Sequence, residues 1–154
     1  MDEGIRKNAI KRAMRLLEKQ DRTEAQLREK LKKDQYEEEY IEEAIRYVKS
    51  YHYIDDERFA RNYVRYRQES KSRQQLKITL MQKGIEQWII QIAINEEYCA
   101  DERIQIRHWI EKKKFVLEEA TRQDISRMYG FLFRKGFQME DIRRELLDIS
   151  AKKV

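Results

Sequence analysis

The sequence predicts an all-α chain of three tandem three-helix repeats, helix-turn-helix-like and stacked as an elongated curved array. Three observations carry this. The chain has no Pro and only four Gly in 154 residues, so little breaks a helix, and good helix formers dominate the rest. Charged residues make up 41% of it, against about a quarter in an average domain, which calls for a thin, surface-rich architecture. A pattern of caps, apolar positions and turns also recurs about every 50 residues.

Taken in order, Ile10, Met14 and Leu17 define the apolar face of a helix over residues 5–20. Thr23 then reads as an N-cap with Gln26 as its capping-box partner, followed by the apolar pair Leu27 and Leu31. A third helix over 37–50 buries Ile41, Ile45 and Val48 and turns a glutamate-rich face outward; residues 34–57 hold nine Asp/Glu against Arg46 and Lys49.

The second copy lies 49 residues on. Asp55-Asp56 opens a helix whose Phe59, Tyr63 and Tyr66 match Ile10, Met14 and Leu17. Ser72 caps the next, with Gln75 in the partner position and Leu76 and Leu80 as the stripe. A Lys83-Gly84 turn leads to Ile85, Ile90 and Ile94, the counterparts of Tyr36, Ile41 and Ile45. The third copy follows at an offset of 52, with Asp124 as cap, Met128 and Leu132 as stripe, a Gly136-Phe137 turn, and Ile142 and Leu146 closing. Its extra length is assigned in or before a helix over 101–120, whose Ile104, Ile106, Trp109, Phe115 and Leu117 align poorly with the other copies. The repeats are placed at 1–52, 53–100 and 101–154. Units this small bury little surface alone, so they should stack on one another.

The charge is unevenly spread. Residues 57–84 carry Arg58, Arg61, Arg65, Arg67, Lys71, Arg73, Lys77 and Lys83 against Glu57 and Glu69, a net +6, while the whole chain is +5. A localised basic face points to an anionic partner more strongly than a high pI does. At 100° per residue, Arg58, Arg61 and Arg65 share a sector of about 60° beside the aromatic stripe, with Arg67 on its other side. Their own helix offers no interleaved acids, and the next adds Arg73 and Lys77. These eight residues are the candidate partner and nucleic-acid contacts. Base stacking is a lesser reading, resting on Tyr51, Tyr53 and Tyr98, which belong to no helical stripe.

Other chemistry finds little support. Asp55-Asp56 suits a helix start, where Asp caps and meets the positive end of the dipole. A helix-turn-helix reader would need a basic or amide-rich second helix; residues 37–47 are acidic, and 86–97 contain no Lys or Arg. There is no nucleophile–base pair, phosphate-binding glycine loop or metal constellation, and Cys99 with His52 and His108 does not make a zinc site. No enzyme activity and no cofactor are expected. One cysteine fits a reducing compartment, no stretch is a signal peptide or membrane span, and a cytosolic monomer with no membrane partner is expected.

Over essentially its whole length the chain resembles the RecX family of bacterial recombination regulators. The resemblance is carried by Ala13–Leu17, Arg22-Thr23-Glu24 with Leu27 and Leu31, Tyr53-Ile54-Asp55-Asp56 followed by Arg58-Phe59-Ala60, and Leu80 through Lys83-Gly84-Ile85. Gln35, His52 and Ser72-Arg73 stand where the family often has glycine, which bears on turn geometry. The resemblance implies a non-enzymatic protein that binds the RecA recombinase filament on single-stranded DNA and inhibits its ATPase and strand exchange, with weak direct DNA binding as a further expectation. Two alternatives stay open: a DNA-binding module without recombinase specificity, and a helical adaptor using an apolar face around Trp88.

Overall fold

The computed structural model describes residues 2–152, with side chains through Leu147. Those residues form nine α-helices and one 3-10 turn, with no strand: α1 Asp2–Lys19, α2 Glu24–Lys33, α3 Glu38–Ser50, α4 Asp56–Arg67, α5 Arg73–Gln82, α6 Gln87–Glu97, α7 Glu102–Lys112, the 3-10 turn Leu117–Glu119, α8 Arg122–Arg134 and α9 Met139–Lys152. The helices form two compact units. Of the described residues, one holds those up to Tyr63 together with Thr79–Glu97; the other holds Val64–Ile78 together with those from Tyr98 onward. The division passes through α4 and α5.

In the first unit α1 packs mainly on α3. Its core is Ala9, Ala13 and Leu16 of α1, Leu27 and Leu31 of α2, Tyr40, Ile41, Ala44, Ile45 and Val48 of α3, and Ile54. The expected stripe Ile10–Met14–Leu17 is displaced by one position, and those three side chains are only partly buried at the core's margin. Alanines let two helix axes approach closely, so the smallest residues take the seam and larger ones cover its rim. The same correction applies to α4. Ala60 and Val64 are buried, Phe59 and Tyr63 are half-buried and stack on each other with centroids 6.1 Å apart, and Tyr66 is 76% exposed. Aromatic rings too large for a close seam lie over it instead.

The second unit is built on Ile106 and Ile110 of α7, Met128 and Leu132 of α8, and Phe137, Ile142 and Leu146, with Trp109, Phe115, Tyr129 and Phe131 packed against them. The helix expected over 101–120 ends at Lys112, capped at its start by Asp101, and Ile104 is exposed. Asp124, expected to cap the next helix, is its third residue. Thr121 is the cap, and its hydroxyl and the Asp124 carboxylate each accept the other's backbone N–H. Cap-to-cap spacing from Ser72 to Thr121 is therefore 49, as from Thr23 to Ser72, and the added length is an extra turn within α8.

Five helices end in one way. The N–H of Tyr36, Tyr53, Ile85, Phe115 and Phe137 reaches back to the carbonyl of Leu31, Val48, Leu80, Ile110 and Leu132 respectively, at 2.9–3.3 Å. The residue before each is left-handed: Gln35, His52, Gly84, Lys114 and Gly136. This is the Schellman closure, which satisfies terminal carbonyls and folds an apolar residue back on the last turn. Lys114 is what stops α7 short of its expected length.

A buried polar cluster ties the α4–α5 connection to the start of α7. The Tyr98 hydroxyl donates to the Lys71 carbonyl at 2.7 Å and accepts from Gln105 Nε2 at 2.9 Å, while that amide also donates to the Gln68 carbonyl at 2.7 Å. Gln68 Oε1 in turn accepts the N–H groups of Cys99 and Ala100. Tyr98, a stacking candidate in the sequence, is 6% exposed and committed to this cluster. Burial pushes its phenol up to about 12. An unfolded tyrosine ionises near 10, so the stability tied to the neutral phenol is complete below about pH 10 and lost as pH rises toward 12. Melting followed across that alkaline window should show a steeper loss for the native protein than for Tyr98→Phe, and parallel curves would count against this linkage.

Candidate partner and nucleic-acid interface

The acidic pair at the start of α4 divides its work. Asp55 Oδ1 accepts the Arg58 N–H at 3.1 Å, an N-cap contact. Asp56 Oδ1 accepts the Glu24 N–H at 2.9 Å, satisfying an orphan amide at the start of α2; burial raises this carboxyl above its ordinary range although that hydrogen bond opposes the shift. Beside it the buried Thr23 hydroxyl accepts the Gln26 N–H at 3.1 Å and donates to the Lys83 carbonyl at 2.6 Å. The second unit contains the same joint. Ser72 accepts the Gln75 N–H at 3.1 Å and donates to the Lys135 carbonyl at 2.7 Å, and Glu102 accepts the Arg73 N–H at 2.7 Å. Each of these accepting carbonyls precedes a glycine. A Cβ on Gly84 would lie 2.3 Å from Ala25 Cβ, and one on Gly136 would lie 2.4 Å from Ser72 Oγ. The carboxylates here are structural.

The basic residues are less uniform than the sequence suggests. In the first unit, exposed Arg58 donates through Nη1 to the His52 carbonyl at 3.0 Å, so it also ties down the left-handed turn after α3. Arg61 is half-buried and ion-paired with Glu96, with Glu97 at 3.8 Å. Lys83 Nζ sits 5.7 Å from the centre of the Tyr63 ring. In the second unit, Arg65 and Arg67 are exposed and Lys71 and Lys77 half-buried. Arg73 lies 4.4 Å over the Tyr98 ring with Nη1 3.7 Å from Glu102. α4 has acids only in its first turn, Asp56 and Glu57, and Arg61 takes its partners from α6. Sequence spacing could not show this, because the partners are 35 residues apart.

The acidic segment is also partly neutralised. Arg28 pairs with Glu42 and stands 3.5 Å from Glu38, Arg12 bonds Asp34 at 2.7 Å, and Arg6 pairs with Glu43. The Arg28 hydrogen bond holds the Glu42 carboxyl below its ordinary range. Trp88 is 53% exposed, its indole N–H donating to Glu86 at 2.6 Å. It borders a surface cavity of about 310 Å³ that also holds Asp55, Asp56 and Glu57. Tyr47, Tyr51 and Tyr53 form an exposed aromatic row with successive centroids 4.9 and 5.8 Å apart.

One basic and aromatic surface escaped sequence reasoning. On α7 and α8, Trp109 and Phe131 meet edge to face at 5.2 Å, with Lys112, Lys113 and Lys135 held over the rings. The run Lys112–Lys114 between Trp109 and Phe115 was the available signal, but it needed Lys135 and Phe131 beside it to mean anything. Among the described residues no group of three or more His, Cys, Asp or Glu could hold a metal ion, and no helix is long and apolar enough to cross a membrane.

The domain families described as the first, second and third three-helix domains of RecX match residues 9–47, 55–94 and 101–146. Regulatory protein RecX of Caldanaerobacter subterraneus subsp. tengcongensis is 33% identical over 142 residues, which is 91% of this chain and 70% of that protein. The RecX of Clostridium tetani is 34% identical over 140 residues, 87% of this chain and 63% of its own. The RecX of Clostridium beijerinckii is 31% identical over 134 residues, 83% of this chain and 62% of its own, so the chain spans less than two thirds of both clostridial relatives. The crystal structure of RecX from Lactobacillus salivarius superposes with a TM-score of 0.77 at 21% identity, covering 97% of this chain and 99% of that one, and so shows the same fold. With three domains matched in order along one chain, and a relative this similar across most of both lengths, the protein belongs to the RecX family of non-enzymatic regulatory proteins.

Proposed function

We propose that this protein binds the RecA recombinase filament on single-stranded DNA and inhibits its ATPase and strand exchange, modulating recombination, DNA repair and the SOS response in the cytoplasm. The observation that supports this most is the ordered match of all three RecX domains, with the basic residues of 57–84 concentrated in the second. The three repeats at 1–52, 53–100 and 101–154 act as its units, and it works as a monomer. Inhibition is by occupancy: basic side chains meet acidic recombinase surface or accessible phosphates, and the acidic residues of 34–57 meet basic recombinase loops or keep free duplex away. No bond is made or broken.

The test is the single-strand-dependent ATPase of the cognate recombinase, titrated with this protein at fixed salt beside a bare-strand binding curve. Inhibition well below the concentration that coats naked strand supports the reading. Inhibition only at strand saturation would replace it with a DNA-binding module competing for the strand. Changing Arg58, Arg61 and Arg65 together to Ala should raise the inhibitory concentration about tenfold, with helix content unchanged by circular dichroism. An unaltered inhibition curve at matched salt would remove these three from the mechanism. A helical adaptor remains the second reading, favoured by exposed Trp88; loss of partner binding in Trp88→Ala but not in the arginine variant would select it.

A further inference from the structure

The surface around Trp109 and Phe131 has no role in the reading above. Its cations come from two separate helix ends. Lys112 and Lys113 close α7, while Lys135 follows α8. Their amines converge on one pair of rings: Lys112 Nζ is 5.0 Å and Lys135 Nζ 4.8 Å from the Trp109 centroid, and Lys113 Nζ is 4.1 Å from that of Phe131. A lysine near a helix C-terminus is ordinarily explained by the dipole. That accounts for each lysine singly, but not for three from two helices gathering on the same aromatic pair.

Next to the rings is a surface cavity of about 370 Å³, between the Lys113–Val116 turn and α8, with Phe131 and Met128 in its wall and Arg127 and Lys114 beside them. It is roomier than a bare phosphate needs and suits a nucleotide. Two acids also line it, Glu119 and Asp124. Asp124 is engaged by the Thr121 N–H, and that hydrogen bond holds its carboxyl below the ordinary range. Over residues 112–135 there are seven Lys/Arg against three acids, so the surroundings attract a polyanion.

Cationic side chains tracking a backbone, with aromatic rings available to bases, are what single-strand binders combine. We propose that the third three-helix domain carries a single-stranded nucleic-acid site, in which Lys112, Lys113 and Lys135 hold phosphates and Trp109 with Phe131 receives a base. An acidic protein segment could use the amines but would leave the rings and the adjoining cavity unused. The site deepens the filament reading by giving the chain its own hold on the strand, yet it is testable without any recombinase.

The chain has two tryptophans, so Trp88→Phe leaves Trp109 as the only indole reporter. Titrating this variant of the 154-residue chain with a short dye-labelled oligothymidylate should quench Trp109 emission in step with the rise in anisotropy. An abasic strand of equal length should bind with little quenching. Adding Lys113→Gln and Lys135→Gln should weaken binding about tenfold and reduce the log–log salt slope by about 1.4, two phosphate contacts on a single strand. Strand binding with Trp109 unperturbed, equal affinity of the lysine variant, the same quenching by polyglutamate, or no strand binding at all would each overturn the proposal. Recombinase ATPase inhibition by the lysine variant is measured separately, so failure of this site and failure of the filament reading are distinguishable.

Discussion

Gly84→Ala should destabilise the protein by about 3 kcal/mol, from two sources that can be separated. Gly84 has φ +85°, where an L side chain costs about 1–2 kcal/mol. Its new Cβ would sit 2.3 Å from Ala25 Cβ, and neither methyl can rotate away because each is fixed to backbone. The turn must retreat, pulling the Lys83 carbonyl from the Thr23 hydroxyl that donates to it at 2.6 Å, and a hydrogen bond of this kind contributes about 1 kcal/mol. Denaturant titration gives the loss as a shift in midpoint at constant slope. Combining Gly84→Ala with Ala25→Gly removes the collision but leaves the backbone strain, so it should restore part of the stability. A Gly84→Ala protein as stable as the parent would show that the joint is slack.

Glu145→Ala is expected to cost about 3 kcal/mol as well, by a different route. The Glu145 carboxylate on α9 is fully buried, held by Arg103 Nε and Arg107 Nε at 2.6 Å each and by Arg107 Nη2 at 3.3 Å. Removing the anion leaves two guanidinium groups facing each other over a cavity, the kind of uncompensated change that breaks a buried pair at several kcal/mol. The arginines are partly exposed, so they can turn to water, which keeps the cost at the low end. Burial alone would raise this carboxyl, but the hydrogen bonds from Arg107 and Arg103 outweigh it and the net shift is downward. Its contribution is therefore complete above the ordinary glutamate pKa of about 4.3 and fades as pH falls through the lower folded value. Melting temperatures of parent and Glu145→Ala should differ most near neutrality and converge in strong acid. A constant gap at all pH values would mean the carboxylate acts by volume alone.

What the sequence made legible was the local signals. Thr23 with Gln26, Ser72 with Gln75, the Leu27–Leu31 and Leu76–Leu80 pairs and the two Lys-Gly turns are all decided within one or two helical turns. Seams were not legible. Whether Ala9 or Ile10 faces inward depends on how near α3 comes, and spacing rewards the larger residue. Nor could the end of α7 be read, because Lys114 adopts the left-handed conformation without being glycine and nothing local marks it. At the candidate surfaces the gap is one of sequence distance. Arg61 is compensated from α6, and Lys135 joins Lys112 only because Trp109 of α7 meets Phe131 of α8.

The twin joints also bear on how such a chain can grow. A hydroxyl at the cap can accept an N–H and donate to a carbonyl at once, which a carboxylate cap cannot do. The first two repeats thus carry a socket at the start of their second helix and the last two a matching plug in their Lys-Gly turn, and Thr23 to Lys83 and Ser72 to Lys135 are the same coupling made twice. A part with unlike, complementary ends can be duplicated or deleted in whole copies while every remaining junction is still satisfied. Gene duplication would then extend the chain like added links, with no new chemistry to invent at any seam.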